Sequence, residues 1–420
     1  MNTHKKLPTF GPAWNLFIKS LPLNNVFYII ISMKIRRNIL LFKLYCLMGD
    51  LWPLSALAVV YFQQITGSYA FALGIFAIMN IVQSVAEVPT GIVSDRIGRR
   101  RSMIVSALLT TLAFLLFALA GTFGMGYLLF IGGAIWAVGD AFASGTDDAL
   151  MYETMEQLRK SDKYDIVFAR SKTFSQIGLA LGAMIAVAVT YFWSLTVLAW
   201  VSVVLCIAPL VITMLFVEPT VHSRESDTTL QHFIDAIKGF IKNPKLRMLA
   251  MIQMLNRSIS FASHRLEGAY FNTLIPTWAV NVARMIKQAC GAVSFSIAPY
   301  FRRFGFYRIL MASTVVLTLI KAVAVILNNF ATPFIQSCVN IGYGTATTAE
   351  SALLQRELSS KQRATMGSIV ALLGGLMSAA IYWIIGFVAD ATSIYFAIIA
   401  LISSNAFISG GYYWMLKKYK

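Results

Sequence analysis

The chain has 420 residues, of which 58% are hydrophobic and 13% charged, and its formal net charge is +17. Soluble domains carry about 25% charged residues, so this composition excludes an ordinary soluble globular protein. The cations lie in short clusters between apolar runs, a pattern typical of membrane topology and not of a nucleic-acid-binding face. We therefore expect a lipid bilayer, and no nucleic acid, among its partners.

The first 33 residues contain only one short apolar piece, Val26 to Ser32, which is too short to span a bilayer. No cleavable signal peptide is evident. We expect residues 1–33 to form an N-terminal extension that is either unstructured or lies on the membrane surface. Whether residues 1–32 belong to the natural protein stays open, because the run that begins at Met33 reads like a natural start.

Twelve apolar runs follow, each long enough to supply the ~20 residues that cross ~30 Å of hydrocarbon. Six lie within residues 34–217 and six within 247–416, and we expect 218–246 to be a linker with one amphipathic surface helix. The prediction is an all-α integral membrane protein. The predicted helices are near 38–61, 69–93, 101–121, 125–150, 165–191, 194–217, 247–273, 277–301, 305–328, 331–355, 364–388 and 391–415.

Lys and Arg residues are confined to alternate connections between these helices. They precede helices 1 and 7, follow helices 2, 4, 8 and 10, and end the chain, whereas loops such as Gln63–Ser68 carry none. Because cytoplasmic loops are enriched in Lys and Arg, this bias places both termini and the linker in the cytoplasm.

The segment Pro89–Arg101 joins helices 2 and 3 and reads as a very short basic loop pinned by Gly91 and Gly98. Its order, Gly-x-x-x-Asp-Arg-x-Gly-Arg-Arg, resembles the signature loop of the major facilitator superfamily of secondary transporters. The resemblance covers about residues 34–416. It implies twelve transmembrane helices in two pseudo-symmetric six-helix bundles, with a small-molecule substrate bound between them near the midplane. It also implies a monomer, and a bacterial inner membrane as its location.

The same resemblance implies a set of gating charges. Asp95 and Arg99 match positions that latch the outward-open state in that family, and Asp147 or Asp148 with Arg170 would complete the network. The alternative is that these are ordinary interfacial charges. The remaining motif residues are Gly91, Arg96, Gly98 and Arg100, and we expect Glu87 to support the loop from the preceding turn.

The two halves share a faint sequence repeat. Thr146–Met151 and Ala349–Leu354 end helices 4 and 10 in a similar way, and each precedes a short charged loop and a Gly-containing helix. The segment Tyr300–Arg308 resembles a degraded copy of the loop at Asp95, and 207 residues separate Gly98 from Gly305. This repeat agrees with two parallel halves.

Two acids of the first half lie deep in predicted helices. Asp50 lies 13 residues past Arg37, or ~20 Å along helix 1, and Asp140 is similarly deep in helix 4. A charge at the bilayer centre costs at least ~2.5–3.5 kcal/mol, so it needs a partner or a function. We expect Asp50 or Asp140 to be the proton-coupling site. Lys43 is a candidate substrate ligand, or else the ion-pair partner of Asp50.

The second half is rich in intramembrane cations. We expect Arg257, Arg265, Arg284 and Lys287 to bind an anionic substrate, since Arg holds carboxylates and phosphates in bidentate contacts. In the alternative interpretation Arg265 pairs with Glu267, and Lys321 extends to the membrane surface.

The motifs argue against an enzyme. The chain has no Cys/His metal spacing, no Gly-x-Ser-x-Gly and no phosphate-binding Gly-rich loop, and its four cysteines all lie in apolar runs. We expect no metal and no cofactor, with the proton gradient as the energy source.

The predicted function is therefore proton-coupled alternating-access transport of a small organic, anionic solute, such as a carboxylate-rich metabolite or siderophore. The main alternative is a drug/proton antiporter for multidrug efflux, although helix 5 lacks the Gly-Pro motif of that class. A transporter-shaped receptor without turnover is a third possibility. Substrate identity, direction, and the choice between protons and sodium stay open.

Overall fold

The computed structural model describes residues 22–220, 244–301, 304–347, 349 and 360–418. In these ranges the chain is almost wholly helical and contains no β-strand. The α-helices are α1 (Pro22–Gly49), α2 (Ala58–Thr66), α3 (Tyr69–Ile97), α4 (Arg99–Phe123), α5 (Gly126–Ala143), α6 (Thr146–Gln157), α7 (Tyr164–Phe192), α8 (Leu195–Leu215), α9 (Pro244–Asn272), α10 (Thr277–Phe301), α11 (Phe306–Leu327), α12 (Thr332–Cys338), α13 (Ser360–Ala391) and α14 (Ile394–Lys418).

The first helix begins earlier than the sequence predicts. α1 starts at Pro22, so the predicted boundary between an extension and the first bundle falls inside a continuous helix. The expectations for residues 1–21 and for the amphipathic linker helix at 230–241 lie outside the described residues.

The first predicted membrane helix is broken in the middle. α1 ends at Gly49, a 3-10 turn covers Pro53–Ala56, and α2 resumes at Ala58. Pro53 cannot donate a backbone hydrogen bond, and it keeps Trp52 out of the helical region at φ −116° and ψ 87°. The prediction of one continuous helix over 38–61 is therefore wrong, and Asp50 lies at the break.

The fourth and tenth predicted helices are interrupted too. α5 and α6 meet at Ser144 and Gly145, where Gly145 adopts a left-handed conformation with φ 73°. α12 passes at Cys338 into a 3-10 turn, Val339–Gly342. Within a membrane, broken helices carry backbone polar groups that only a protein interior or a water-filled cavity can satisfy, so such breaks mark the inside of a helix bundle.

Eight segments of the described chain are long and apolar enough to cross a membrane. α9 and α10 are not among them; these are the helices that carry Arg257, Arg265, Arg284 and Lys287. The prediction of an all-α membrane protein is thus confirmed, while the full count of twelve crossings stays a prediction.

The two ends of α3 define the two faces of the molecule. We call the end at Gly67 the Gly67 face and the end at Gly98 the Gly98 face. α3 packs along α13, α7 against α10, and α2 against α9, so helices from before and after the linker meet directly. Gly74 of α3 lies beneath the Trp383 ring of α13, and the Phe76 and Tyr382 rings are 6.3 Å apart between centroids.

The structure strengthens the sequence repeat at the turns before α4 and α11. Gly98 has φ 93° and ψ 158°, and Gly305 has φ 84° and ψ 138°. Each glycine adopts a positive φ that other residues avoid, and each directly precedes a long helix. A glycine with the same kind of backbone conformation therefore precedes a long helix at equivalent places in both halves.

Candidate functional site

A cavity of about 640 Å³ lies among the helices of the second half. Its wall comes from α9, α10, α11, α12 and the turns after α12, with a contribution from α14. Among the described residues, its charged lining consists of Arg257, Lys287, Lys321 and Glu267. Three cations face one carboxylate there, so the cavity has an excess of positive charge.

Glu267 is the central counter-ion of this cavity. Its carboxylate forms an ion pair with the Lys287 ammonium group, and Lys321 Nζ lies 3.8 Å from its other oxygen. Only 5% of Glu267 is exposed. The alternative pairing of Glu267 with Arg265 is therefore wrong, and Lys321 lines the cavity instead of extending to the membrane surface.

Arg284 contacts His264 with both of its terminal nitrogens. The Arg284 Nη1 atom lies 3.1 Å from His264 Nδ1, and Nη2 contacts Nε2. Lys287 Nζ is also 3.2 Å from His264 Nδ1. Arg284 is not among the residues that line the cavity, so it supports the wall from behind through His264.

Arg265 points towards the first half. Its guanidinium carbon lies 4.2 Å from the Phe76 ring centroid and 6.0 Å from that of Trp52. Its side chain also lies near Tyr382 of α13. Cation–π contacts of this kind hold an Arg in an apolar setting, so this predicted ligand sits at the junction of the two halves and outside the cavity.

Arg257 is the charged residue of the cavity wall that lies nearest the start of α9. It is exposed, and its guanidinium carbon is 5.8 Å from the ring centroid of Phe261, one turn further along α9. This placement leaves the guanidinium group accessible to a solute in the cavity.

The two predicted proton-coupling acids are held in different ways in the first half. Asp140 of α5 accepts a hydrogen bond of 2.6 Å from Gln83 Nε2 of α3. Asp50, at the break after α1, lies near Ser175 and Lys172, both on α7. Lys172, which the sequence interpretation did not single out, is thus the cation next to Asp50. Lys43 is half-buried on α1.

Further acids lie near this pair. Glu87 is close enough to Asp140 for the two charges to interact, and Asp147 is too. Glu87 therefore lies near the acids of α5 and α6, and its expected support of the turn at Gly98 stays a prediction. Together, Asp50, Glu87, Asp140 and Asp147 make the interior of the first half acidic, opposite in sign to the cavity of the second half.

The signature segment is helical almost to its end. α3 runs through Pro89 to Ile97 and leaves only Gly98 between two helices, so the predicted short loop is wrong. Pro89 has no N–H to donate to the Val85 carbonyl, and the next residue, Thr90, donates its hydroxyl to the Ala86 carbonyl at 2.7 Å. Gly91 and Arg96 are exposed along this last stretch of α3.

Arg99 carries the charge network that the motif predicts. It donates to Asp95 Oδ1 at 2.7 Å and to Glu153 Oε1 at 3.2 Å. The acid from α6 is therefore Glu153, and the expected Asp147 or Asp148 is wrong at this contact. Asp147 accepts a hydrogen bond of 2.8 Å from the Asp148 backbone instead, because both begin α6. Arg170 is exposed on α7.

Glu218, which follows α8, contacts the same end of α4 as this network. Its carboxylate accepts hydrogen bonds from the backbone N–H groups of Arg99 at 2.6 Å and Arg100 at 2.7 Å. An acid at this place satisfies free donors at the start of α4 and complements its helix dipole. The Arg100 side chain donates to the Met214 carbonyl at 2.7 Å, which ties α4 to α8.

A second carboxylate cap joins the two halves at the Gly67 face. Asp390, near the end of α13, accepts from the backbone N–H groups of Tyr69 at 2.7 Å and Ala70 at 2.9 Å, and from the Ser68 hydroxyl. Sequence reasoning missed Glu153, Glu218 and Asp390. Their only local signal is an acid close to a helix end, and their partners lie 54 to more than 300 residues away.

Comparisons with known proteins agree with this geometry. A family model described as the Major Facilitator Superfamily matches residues 41–382. The solved structure of the nucleoside transporter NupG superimposes with a TM-score of 0.73 at 16% identity, covering 93% of this chain and 99% of that chain. The structure of a D-xylose-proton symporter superimposes with a TM-score of 0.65 at 13% identity, covering 90% of this chain and 97% of that chain.

A bacterial homolog of the human lysosomal transporter Spinster, in an inward-facing conformation, gives a TM-score of 0.68 at 11% identity, covering 92% of this chain and 96% of that chain. No curated protein matches the sequence. Identities this low establish the shared fold alone. The family model spans most of the chain, however, and the helices and signature segment agree with it, so the protein belongs to the major facilitator superfamily of multi-pass membrane transporters for small solutes.

Proposed function

We propose that this transporter couples protons to the movement of a small organic anion, such as a carboxylate-rich metabolite or siderophore, across a bacterial inner membrane. The observation that carries this proposal is the cavity in which, among the residues that the structure describes, Arg257, Lys287 and Lys321 face a single acid, Glu267. A solute with an acidic group would balance this excess of positive charge, whereas a cation would meet repulsion.

We assign proton coupling to Asp50 or Asp140. Asp50 lies at a helix break beside Lys172, and Asp140 is held by one neutral amide. Carboxylates kept away from bulk water can exchange a proton near neutral pH. A D-xylose-proton symporter among the structural relatives supports protons as the coupling ion.

We further propose that the Gly98 face is cytoplasmic and that the protein works as a monomer of two six-helix halves. The Lys and Arg clusters at this end support the orientation. Two described contacts between the halves, at Asp390 and at Gly386 with Ala70, lie at the Gly67 face. They support a state in which solute enters from the Gly98 side.

Purified protein in liposomes that contain a pH-sensitive dye tests the proposal. We expect organic anions to stimulate proton flux under an imposed gradient, and Asp50→Asn or Asp140→Asn to uncouple anion movement from protons. Asp162→Asn, an exposed acid outside these helices, is the matched control. Anion transport that proceeds without proton flux in the unmodified protein would contradict proton coupling.

A drug/proton antiporter is the second candidate, and the acidic interior of the first half favours it. Asp50, Glu87, Asp140 and Asp147 would attract a lipophilic cation. In the same assay, flux stimulated by lipophilic cations and not by anions would establish this alternative.

A further inference from the structure

The cations around the cavity differ in how far protein partners already satisfy them. Arg284 is engaged with both ring nitrogens of His264. Lys287 forms its ion pair with Glu267 and also contacts His264. A ligand would have to displace these contacts, which makes both residues poor primary anchors for an incoming anion.

Arg257 and Lys321 are engaged far less in the described structure. Lys321 Nζ lies 3.8 Å from Glu267, beyond the ~3.2 Å that an N–H···O hydrogen bond needs, and 27% of its side chain is exposed. Arg257 is exposed and lies 5.8 Å from the Phe261 ring centroid. Both line the cavity, so their N–H groups can serve a bound anion.

These two cations lie at different depths of the cavity. Glu267 follows Arg257 by ten residues on the continuous helix α9, which corresponds to ~15 Å at 1.5 Å per residue. Lys321 lies against Glu267 and therefore marks the deeper end. If one acidic group lies ~3 Å from Arg257 and a second lies ~3 Å from Lys321, the distance between the two acidic groups is ~8–11 Å.

The wall between the two cations is partly apolar. Phe261 lies one turn beyond Arg257 on α9, and Leu317 lies one turn before Lys321 on α11; both line the cavity. Hydroxyl groups of Ser260 and Thr314 alternate with them. Such a surface suits a hydrocarbon spacer better than a third charge.

From this arrangement we infer that the cavity selects an elongated dianion, with one acidic group at Arg257, the other at Lys321, and an apolar spacer ~8–11 Å long between them. This inference rests on the proposed anion transport and adds a length rule to it. Lys321 thereby becomes a specificity-determining residue.

A chain-length series of α,ω-dicarboxylates tests the length rule. Equilibrium binding of succinate, adipate, suberate and sebacate to the purified full chain is compared with that of octanoate, which has one carboxylate. We expect suberate or sebacate to bind at least tenfold more tightly than succinate and octanoate. A dissociation constant that does not depend on chain length would overturn the inference, and so would absence of binding by all five probes.

Variants at each end separate the two contacts. In the Arg257→Gln or Lys321→Gln variant, the dissociation constants of suberate and sebacate should come within about threefold of that of octanoate, because only one end of the ligand is still anchored. Lys321→Arg keeps the charge on a longer side chain and should keep the length preference, shifted towards the shorter dicarboxylate. Arg308→Gln, an exposed arginine at the start of α11 and outside the cavity, should leave the series unchanged. Elution volume and thermal unfolding check that each variant is folded.

The inference and the proposed function fail in different ways. If liposomes transport organic anions but binding shows no length optimum, or if the Lys321→Gln variant keeps the optimum, the length rule is wrong and anion transport stands. If no anion binds and none is transported, both are wrong.

Discussion

Arg99 joins an exposed acid to a buried one, and the two contacts differ in energy. The Asp95 side chain is 67% exposed, whereas that of Glu153 is 2% exposed. Exposed ion pairs contribute about 0–1 kcal/mol, while a buried hydrogen bond to a charged group contributes about 1.5–3 kcal/mol. The buried partner therefore carries most of the stabilisation of this network, although the motif contains only the exposed one.

We predict that Glu153→Gln lowers the thermal unfolding temperature more than Asp95→Asn does. The amide removes a charge that is buried beside Arg99, while Asp95 is largely solvated in either form. Thermal unfolding of the two detergent-solubilised variants shows which has the lower unfolding temperature. Glu156→Gln, which changes an exposed acid of the same helix, should have no effect. An equal or larger loss in Asp95→Asn would show that the network does not depend on Glu153.

The two motif glycines should respond in opposite ways to alanine. A Cβ atom on Gly98 would lie 2.7 Å from Glu218 Oε1, and its φ of 93° strains any other residue, so Gly98→Ala should destabilise the protein by about 1–3 kcal/mol. Gly91 is helical and has nothing within 4 Å of an added Cβ, so Gly91→Ala should be neutral or stabilising by up to about 1 kcal/mol. Thermal unfolding of the two variants compares them directly, and a stable Gly98→Ala protein would contradict the turn geometry.

At the scale of elements, helix ends are tied together by carboxylates from distant segments. Glu218 satisfies the start of α4, and Asp390 satisfies the start of α3. The second contact joins the two halves, so any rearrangement that opens the Gly67 face must break it. Two of the three breaks in the predicted helices have a cause visible in the sequence: Pro53 follows the end of α1, and Gly145 separates α5 from α6.

We predict that Asp390→Ala loosens the Gly67 face. Loss of a helix cap costs about 0.5–2 kcal/mol, and here the cost falls on the contact between halves. Spin labels at the exposed positions Gln64 and Thr392, in a protein without its native cysteines, would report the distance between the halves. The variant should show a longer or broader distance distribution than the unmodified protein. Identical distributions, with Asp162→Asn as the control, would mean that Asp390 does not hold this face closed.

Length, hydropathy and the signature segment were sufficient to predict the membrane fold and the family, because these signals are local and repeat along the chain. The breaks in the first and fourth predicted helices could also have been predicted, because Pro53 and Gly145 are visible in the sequence. The partners of Arg99 and Glu267 were not, because such pairs depend on which faces of distant helices meet. Glu153 pairs with Arg99, and Lys287 with Glu267, because of how their helices pack, and residue spacing in a single sequence does not predict that packing.

At the scale of the whole molecule, the two halves have interiors of opposite sign. The first half collects Asp50, Glu87, Asp140 and Asp147, and the second places Arg257, Lys287 and Lys321 around one cavity. This separation is the basis of our proposal that the first half carries the proton and the second binds the anionic solute, so that one movement of the halves would couple the two.

Uptake of an organic anion by reconstituted protein, comparing Arg257→Gln with Arg308→Gln, tests the central claim most directly. Both variants lose one guanidinium group, but only Arg257 lines the cavity. We predict that Arg257→Gln raises the KM for the anion at least tenfold, because it removes a contact to the bound solute, and that Arg308→Gln transports like the unmodified protein. Equal uptake by both variants, or uptake confined to lipophilic cations, would contradict the assignment of this cavity to an anionic substrate.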